Sequence, residues 1–358
     1  MDCKKLAEIK AGLLCLGVNV DEEVGKKLVK ERPYFYDKGF VHAVNANVLG
    51  SNVCVSVAER FSHKSPYHLR EKDGKFYIDD GSGELVPISL FDDLPKTDTV
   101  VDILARPHSN RVISLWPSLV CCYDKPGLKC KFCSIKTTDV QTVVPAEEVW
   151  KGLKKLFELT DKYSVNLGGG TYKNPDNMAR YLMEIIRGIR SFSNTPISVE
   201  LAPPSDLSLI DELKEAGASS LIMNLEVASP ELKKEICPGK SSIPYEHYYA
   251  AFRRGIEKFG KGKISSVLIA GIQPDDDVVN ECEKLTAIGV LPTIIPFKSM
   301  DDCEFRDKPN CDPRSLLYVS RKVGAMLRKE GLNPDLQEGC TKCGGCSLET
   351  NFYENGNL

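Results

Sequence analysis

Between residues 111 and 297 the sequence alternates six times between a short apolar run and a longer amphipathic stretch. Apolar runs of this length predict strands, and the stretches between them carry the apolar spacing of helices. Because the runs are apolar throughout, we expect strands buried on both faces, as in a parallel sheet covered by helices. The predicted strands are residues 112–116, 164–167, 197–201, 220–225, 264–270 and 291–296. The predicted helices that follow them are residues 145–159, 175–191, 207–216, 244–259, 277–288 and 313–330.

Right-handed crossovers between such strands give either a doubly wound sheet or a barrel, full or partial. In either fold the loops that follow the strands form the functional site, because parallel strands end at the same edge. The distinctive residues of this part of the chain lie in those loops: a cysteine-rich loop, the triplet Gly168, Gly169 and Gly170, the carboxylates Glu200 and Glu226, and Gly271.

The cysteine loop, residues 119–133, reads LVCCYDKPGLKCKFC and contains Cys121, Cys122, Cys130 and Cys133. Two residues separate Cys130 from Cys133, so one turn of chain points both sulfurs at one metal centre. Either Cys121 or Cys122 completes the set. Three thiolates on an iron–sulfur cluster leave one iron without a protein ligand, which is what a reactive cluster needs. The alternative is a structural zinc site, but such a site needs four ligands and the loop contains no histidine.

A second cysteine run lies near the end of the sequence, where Cys340, Cys343 and Cys346 form a C-x2-C-x2-C pattern with glycines between them. This pattern indicates a second iron–sulfur cluster, with a zinc-ribbon fragment as the alternative. Its fourth ligand is either Cys303 or Cys311, or is absent. The other cysteines are interpreted as buried or incidental thiols: Cys3, Cys15, Cys54, Cys237 and Cys282.

The first hundred residues have a different pattern, which predicts a small α+β cap. Helices are predicted at residues 4–16 and 21–30, and a strand at residues 52–57. The sequence DDGSG between two further β runs predicts a hairpin. The chain is therefore expected to divide into three parts: the cap at residues 1–105, the repeating core at 106–300 and a C-terminal extension with the auxiliary cluster at 301–358.

Composition limits the location and the partners of the protein. The net charge is −3 over 358 residues, which argues against a dominant nucleic-acid surface. The apolar runs are far shorter than a membrane span, and the first residues lack the apolar core of a signal peptide. We therefore expect a cytoplasmic protein with no nucleic-acid or membrane partner. In that compartment its fourteen cysteines are metal ligands or buried thiols rather than disulfides.

A three-cysteine loop after the first strand, a glycine triplet after the second and polar residues at later strand ends together resemble the radical S-adenosylmethionine (SAM) superfamily. The resemblance covers about residues 112–297 and implies a partial (β/α)6 TIM-like barrel. The usual spacing in that family is C-x3-C-x2-C, whereas here it is C-x7-C-x2-C from Cys122 or C-x8-C-x2-C from Cys121. The text of residues 223–272 resembles a biotin-synthase-related branch that includes lipoyl-synthase-like and nitrilase-cluster-linked relatives.

The resemblance assigns expected roles to residues at matching positions. The cysteine loop, with Phe132 before its last cysteine, would hold a 4Fe-4S cluster. The triplet Gly168, Gly169 and Gly170 matches the motif whose backbone receives the amino group of SAM, although a glycine replaces the usual acidic residue. The remaining expected contacts to SAM or substrate are Glu200, Asn224, Glu226, Ser266, Ile269 and Gly271.

The implied reaction is reductive cleavage of SAM to a 5′-deoxyadenosyl radical, which abstracts hydrogen from an unactivated C–H bond. The C-terminal cysteines favour sulfur insertion of the lipoyl or biotin synthase type, with a second 4Fe-4S cluster as sulfur donor. The alternative within the class is a rearrangement or C–C bond reaction on a small molecule that the auxiliary cluster anchors. The alternative outside it is a non-catalytic, zinc-stabilised binding module. Expected partners are an electron donor such as flavodoxin or ferredoxin, an acyl-carrier or lipoyl-carrier protein and a second radical SAM subunit.

Overall fold

A computed structural model describes residues 3–31, 43–57, 59–135, 143–160 and 163–356 of the chain. The strands of the described residues form two sheets, one from the first ninety residues and one from the repeating core. Among the helices in these ranges, none combines the length and the apolar run that a membrane span requires.

The first sheet is mainly antiparallel and has the strand order β1-β4-β5-β6-β2-β3. The predicted hairpin is confirmed, since Asp79 pairs with Leu85 across the DDGSG turn. A second hairpin turns at Asp73 and Gly74, whose φ angles of 53° and 75° suit a two-residue Asp-Gly turn. The elements of this region are α1 (Cys3–Leu16), β1 (Asn19–Val20), α2 (Glu22–Glu31), β2 (Ala43–Val48), β3 (Ser51–Ser56), β4 (His68–Lys72), β5 (Lys75–Asp79) and β6 (Leu85–Leu90).

The second sheet is the partial barrel. Its strands lie in the order β13-β12-β11-β10-β9-β8-β7, and the six from β8 to β13 are parallel. The strands and helices up to the last strand are α3 (Val101–Leu104), β7 (Ala105–Pro107), β8 (Val112–Ser118), α4 (Ala146–Leu159), β9 (Ser164–Gly169), α5 (Pro175–Arg190), β10 (Ile197–Glu200), α6 (Ser208–Ala216), β11 (Ser220–Ile222), α7 (Pro230–Ile236), α8 (Tyr245–Phe259), β12 (Ile264–Ala270), α9 (Asp275–Ala287) and β13 (Leu291–Pro296).

This topology confirms the predicted partial (β/α)6 barrel. The strands follow chain order, a helix lies between each strand and the next, and no described residue of β13 pairs with β8, so the barrel stays open. Local signals account for the helix ends. At α5, Asn174 caps the first turn by accepting from the Asn177 N–H at 2.8 Å, with Pro175 at the first position. Sequence analysis missed β7, which adds an antiparallel edge beside β8.

The C-terminal segment contains α10 (Pro313–Lys329), α11 (Cys340–Cys343) and α12 (Glu349–Asn355). Between α10 and α11 the chain crosses the end of the barrel where the parallel strands begin. Gln337 Nε2 donates to Ser198 Oγ at 2.9 Å, and the Glu338 backbone contacts Ser164 and Ser220. An ideal Cβ on Gly339 would lie 2.4 Å from Ser198 Oγ, so only glycine fits there. The C-terminal cysteines are thus inserted into the barrel rather than attached outside it.

Candidate functional site

The cysteine loop is held at the carboxyl ends of the parallel strands by backbone hydrogen bonds at both of its ends. The Cys122 N–H donates to the Thr171 carbonyl at 2.9 Å, just beyond the glycine triplet. The Lys131 N–H donates to the Ile236 carbonyl at 2.9 Å, and the Cys133 N–H to the Cys130 carbonyl at 3.0 Å. The predicted turn between Cys130 and Cys133 is therefore present, and the loop lies beside the segment after α7.

Three of the predicted cluster thiols are near enough to interact electrostatically. The Cys133 thiol interacts with Cys130 and Cys121, whereas the Cys122 thiol interacts with Cys121 and Lys125. Burial raises the pKa of Cys133 to about 12 and that of Cys122 to about 11. These interactions favour Cys121 as the third member of the set, and this assignment stays a prediction.

Cys130 has neighbours that sequence analysis did not anticipate. Among the described residues, the ligand atoms of Cys130, Cys237 and Glu226 lie within 4.8 Å of one another. A hydrogen bond from the Cys237 thiol lowers the pKa of Cys130, and Cys237 Sγ is 3.7 Å from Glu226 Oε2. Cys237 is buried, as predicted, but it is not isolated from the predicted cluster ligands. The sequence signals the Pro238-Gly239 turn that follows it, but not that this turn packs against the cysteine loop, where the Gly239 N–H donates to the Leu128 carbonyl.

Glu226 is paired with a second unanticipated residue, Lys240. The Lys240 ammonium is 2.5 Å from Glu226 Oε1, and the two side chains are only 18% and 8% exposed. Glu226 has a positive φ of 67°, unusual for a residue with a side chain, which turns its carboxylate toward Cys130. This buried ion pair lies beside the cysteine loop.

The glycine triplet forms the end of β9, with Gly170 just beyond it, and is packed against the cysteine loop. An ideal Cβ on Gly170 would lie 2.5 Å from the Val120 carbonyl oxygen and 3.1 Å from Cys121 Cβ. Gly169 has a φ of 130°, and its Cβ would lie 2.3 Å from the Ser118 carbonyl oxygen. Both positions therefore require glycine, because backbone comes so close to backbone here. The predicted role of the triplet in receiving the SAM amino group stays a prediction.

Glu200 and Asn224 form a polar pair beside the triplet. Asn224 Nδ2 donates to Glu200 Oε1 at 2.7 Å, and Asn224 Oδ1 accepts from the Val267 N–H at 3.1 Å. An ideal Cβ on Gly168 would lie 3.2 Å from Glu200 Oε2, so the carboxylate lies against the triplet. Burial raises the pKa of Glu200. The structure thus brings Glu200, Asn224 and the triplet together, as the resemblance implied.

The three predicted positions on and after β12 have different surroundings. Ser266 is fully buried, and its hydroxyl accepts from the Leu225 N–H at 2.9 Å, so that oxygen supports the neighbouring strand. Gly271 has a φ of 88°, and its Cβ would lie 2.7 Å from the Cα of Cys311. Ile269 faces an internal cavity. Their predicted contacts with the adenine of SAM stay predictions.

That cavity has a volume of about 390 Å³ and lies between the cysteine loop, the first sheet and the barrel interior. Its wall is mostly apolar. Phe132 of the cysteine loop and Cys346 of the C-terminal run both line it, as do Trp116, Phe297 and Lys298. The cavity therefore connects the two cysteine groups that sequence analysis treated separately.

The C-terminal cysteines contact the barrel and the first sheet. Cys340 interacts electrostatically with Glu200, and Cys343 Sγ donates to the His108 carbonyl at 3.2 Å. The Cys54 thiol of β3 is hydrogen-bonded to Cys346, which lowers the pKa of Cys346 to about 6. The interpretation of Cys54 as an isolated thiol is therefore wrong.

The two fourth-ligand candidates named from the sequence have other neighbours. Cys311 is hydrogen-bonded to Cys15, and Cys303 packs with the apolar residues around Cys130 and Phe297. The contacts of Cys303 and Cys311 are therefore with residues other than the C-terminal cysteines. Cys15, in turn, is paired with Cys311.

Comparison with known proteins identifies the central region. Residues 122–285 match the radical SAM superfamily. A 135-residue segment is 28% identical to bacteriochlorophyllide c C-7(1)-hydroxylase of Chlorobaculum limnaeum; it covers 37% of this chain and 34% of that protein. The matched segment thus spans about a third of the length of that relative.

Solved structures with a similar fold include a hydrogenase maturase and a radical SAM methyltransferase. The FeFe-hydrogenase maturase HydG from Carboxydothermus hydrogenoformans is 21% identical, with a TM-score of 0.48 over 61% of this chain and 50% of that chain. A radical SAM methyltransferase from Sphaerobacter thermophilus is 15% identical, with a TM-score of 0.48 over 75% of each chain.

Proposed function

Because residues 122–285 of this chain form a radical SAM superfamily domain, we propose that the protein cleaves SAM reductively and abstracts hydrogen from an unactivated C–H bond of a largely apolar substrate. The family implies a 4Fe-4S cluster and SAM. The observation that carries the proposal is the 390 Å³ apolar cavity that begins at Phe132, beside the predicted cluster thiols. Its volume is in the range of sites for small organic ligands.

The residues present fit the cofactors by the chemistry of their donors. Cys121, Cys130 and Cys133 supply three thiols, the ligand type that iron–sulfur clusters use. When bound, the cluster and SAM supply the radical chemistry.

The chain itself supplies position and a dry environment. The Glu200–Asn224 pair offers a fixed carboxylate oxygen beside the glycine triplet, where a cationic amine would be bound. The Lys240–Glu226 pair is buried beside Cys130 and adds no net charge there, because the lysine ammonium and the carboxylate neutralise each other. Trp116, Phe132 and Phe297 exclude water from the cavity in which a substrate radical would form.

We propose sulfur insertion of the lipoyl or biotin synthase type as the specific reaction, because Cys346 and Phe132 line one cavity. A donor cluster at the C-terminal cysteines would then face the same substrate as SAM. The relative from Chlorobaculum limnaeum is named a hydroxylase, which favours hydroxylation as the second candidate. The placement in the biotin-synthase-related branch stays a prediction. So do a flavodoxin or ferredoxin donor, an acyl-carrier or lipoyl-carrier substrate and a second radical SAM subunit.

The test is anaerobic turnover of the reconstituted protein with a strong reductant and SAM. We expect formation of 5′-deoxyadenosine, and loss of that product in Cys130→Ala, with Cys282→Ala as a buried-thiol control that keeps it. An octanoylated carrier protein is then supplied as substrate and examined by mass spectrometry. Gain of sulfur supports the insertion reaction and gain of oxygen supports hydroxylation. If the substrate is consumed without gaining sulfur or oxygen, a rearrangement is favoured. If the reconstituted protein holds a full cluster but forms no 5′-deoxyadenosine, the radical reaction is refuted.

A further inference from the structure

We propose that Cys54 of the first sheet joins Cys340, Cys343 and Cys346 to form a second iron–sulfur site closed by four cysteines. Cys54 and Cys346 line the same cavity as Phe132 of the cysteine loop. The proposal concerns metal binding by these four residues and does not depend on the reaction proposed above.

Backbone contacts hold Cys54 against the C-terminal run. Strand β3 is the last strand of the first sheet, so one of its edges is open. On that strand the Cys54 N–H donates to the Gly345 carbonyl at 2.7 Å, and Asn52 Nδ2 donates to the Cys343 carbonyl at 2.9 Å. The two partners are the second cysteine of the C-x2-C-x2-C pattern and the residue directly before its third cysteine. The Cys54 thiol is thereby aligned with Cys346, to which it is hydrogen-bonded.

The shape of the run leaves no room for a side chain near its sulfurs. Gly344 has a φ of 63° and ends the single helical turn from Cys340 to Cys343. An ideal Cβ on Gly345 would lie 3.2 Å from Cys343 Sγ and 3.8 Å from the Cys54 nitrogen. The two glycines therefore let the run pack directly against β3.

A buried positive charge provides an independent indication of an anionic group. Lys10 of α1 is only 2% exposed, and the three hydrogen-bond partners of its ammonium are neutral: the Gly344 carbonyl at 2.8 Å, Asn351 Oδ1 at 2.9 Å and Ser51 Oγ at 3.1 Å. A buried charge is costly unless an opposite charge lies near, and the first such charge near Lys10 is the carboxylate of Glu349. Lys10 interacts electrostatically with Glu349, Cys343 and Cys346, and Lys298 with Cys54 and Cys346. Two cations thus flank the place where four thiolates and a cluster would add negative charge.

Four cysteines can hold either a single zinc ion or an iron–sulfur cluster, and the C-x2-C-x2-C pattern of the sequence favours the cluster. With four cysteines the cluster has no open iron, which disfavours the anchoring of substrate through iron.

The experiment compares iron retention in wild type, Cys54→Ala, Cys303→Ala and Cys311→Ala after anaerobic reconstitution. Mild oxidation releases the iron that lacks a protein ligand. Wild type is expected to keep about seven of about eight irons, since only the cluster of the cysteine loop has an open iron, and Cys54→Ala about six or fewer. The Cys303→Ala and Cys311→Ala variants, with Cys15→Ala as a further control, are expected to match wild type. Zinc is measured in the same samples.

Three results overturn the proposal. One is equal iron retention by Cys54→Ala and wild type, and another is an iron loss specific to Cys303→Ala or Cys311→Ala. The third is zinc at the C-terminal cysteines. If Cys54→Ala does not fold, as judged by circular dichroism, Cys54→Ser is used in its place. A hydroxyl oxygen then replaces one sulfur ligand, and the electron paramagnetic resonance spectrum of the reduced protein should change. An unchanged spectrum at equal iron content likewise refutes the assignment.

Discussion

Gly170→Ala tests whether the glycine triplet positions the cysteine loop. The added Cβ would lie 2.5 Å from the Val120 carbonyl oxygen, 2.8 Å from its carbonyl carbon and 3.1 Å from Cys121 Cβ. Backbone atoms cannot rotate away from such a contact, so the peptide before Cys121 has to move. Overpacking of this kind costs about 1–3 kcal/mol. We expect the free energy of unfolding of the metal-free protein to fall by that amount.

The shift should also weaken the cluster and the binding of SAM, because it displaces a predicted ligand. A displacement of about 1 Å can lower an enzymatic rate about a hundredfold. We therefore expect reduced iron incorporation and a rate of 5′-deoxyadenosine formation lower by about that factor. The assays are denaturant unfolding, iron analysis and chromatography of the nucleoside product.

Gly188→Ala is the matched control, since its Cβ would lie 2.2 Å from the Trp150 ring, between α5 and α4 on the outer layer of the barrel. It should lower stability without loss of iron or of SAM cleavage. The reasoning about Gly170 is refuted if both variants are equally destabilised and both keep full iron and full cleavage. A Gly170→Ala protein as stable as wild type would also refute it.

Three further predictions concern buried charges and the cluster ligands. Lys240→Met leaves the Glu226 carboxylate buried and unpaired, so we expect thermal unfolding to show a loss of about 3–5 kcal/mol, most of it restored by adding Glu226→Gln; additive losses would contradict a pair. Burial raises the pKa of Glu349 to about 7, so the folded state binds the proton more tightly than the unfolded state and stability falls as pH rises toward about 7. Glu349→Gln should remove this slope and be about 3 kcal/mol more stable than wild type at about pH 8; an unchanged slope in denaturant titrations would contradict the assignment. Cys121→Ala should lose about four irons on reconstitution and Cys122→Ala should keep them, and the reverse result would assign the ligand to Cys122.

The repeating core was predictable because its signals are local. Strands buried on both faces need unbroken apolar runs, and two of the predicted strands, Ile264–Ala270 and Leu291–Pro296, have the observed bounds. The DDGSG hairpin was likewise found from its turn residues. By contrast, β4 was missed, because His68–Lys72 is mostly polar and only one of its five residues, Leu69, is buried.

By itself, the sequence determined the parallel α/β core, the loops that carry its site and the cysteine spacings that indicate iron–sulfur chemistry. The tertiary structure decided which distant residues meet: Cys237 and Lys240 beside the cysteine loop, and Cys54 and Lys10 beside the C-terminal run. These contacts join segments that are far apart in the sequence. Residue spacing predicts which side chains share a face of one helix or strand, but not which distant segments meet. The contacts arise only when the first sheet and the C-terminal run are brought together at the barrel.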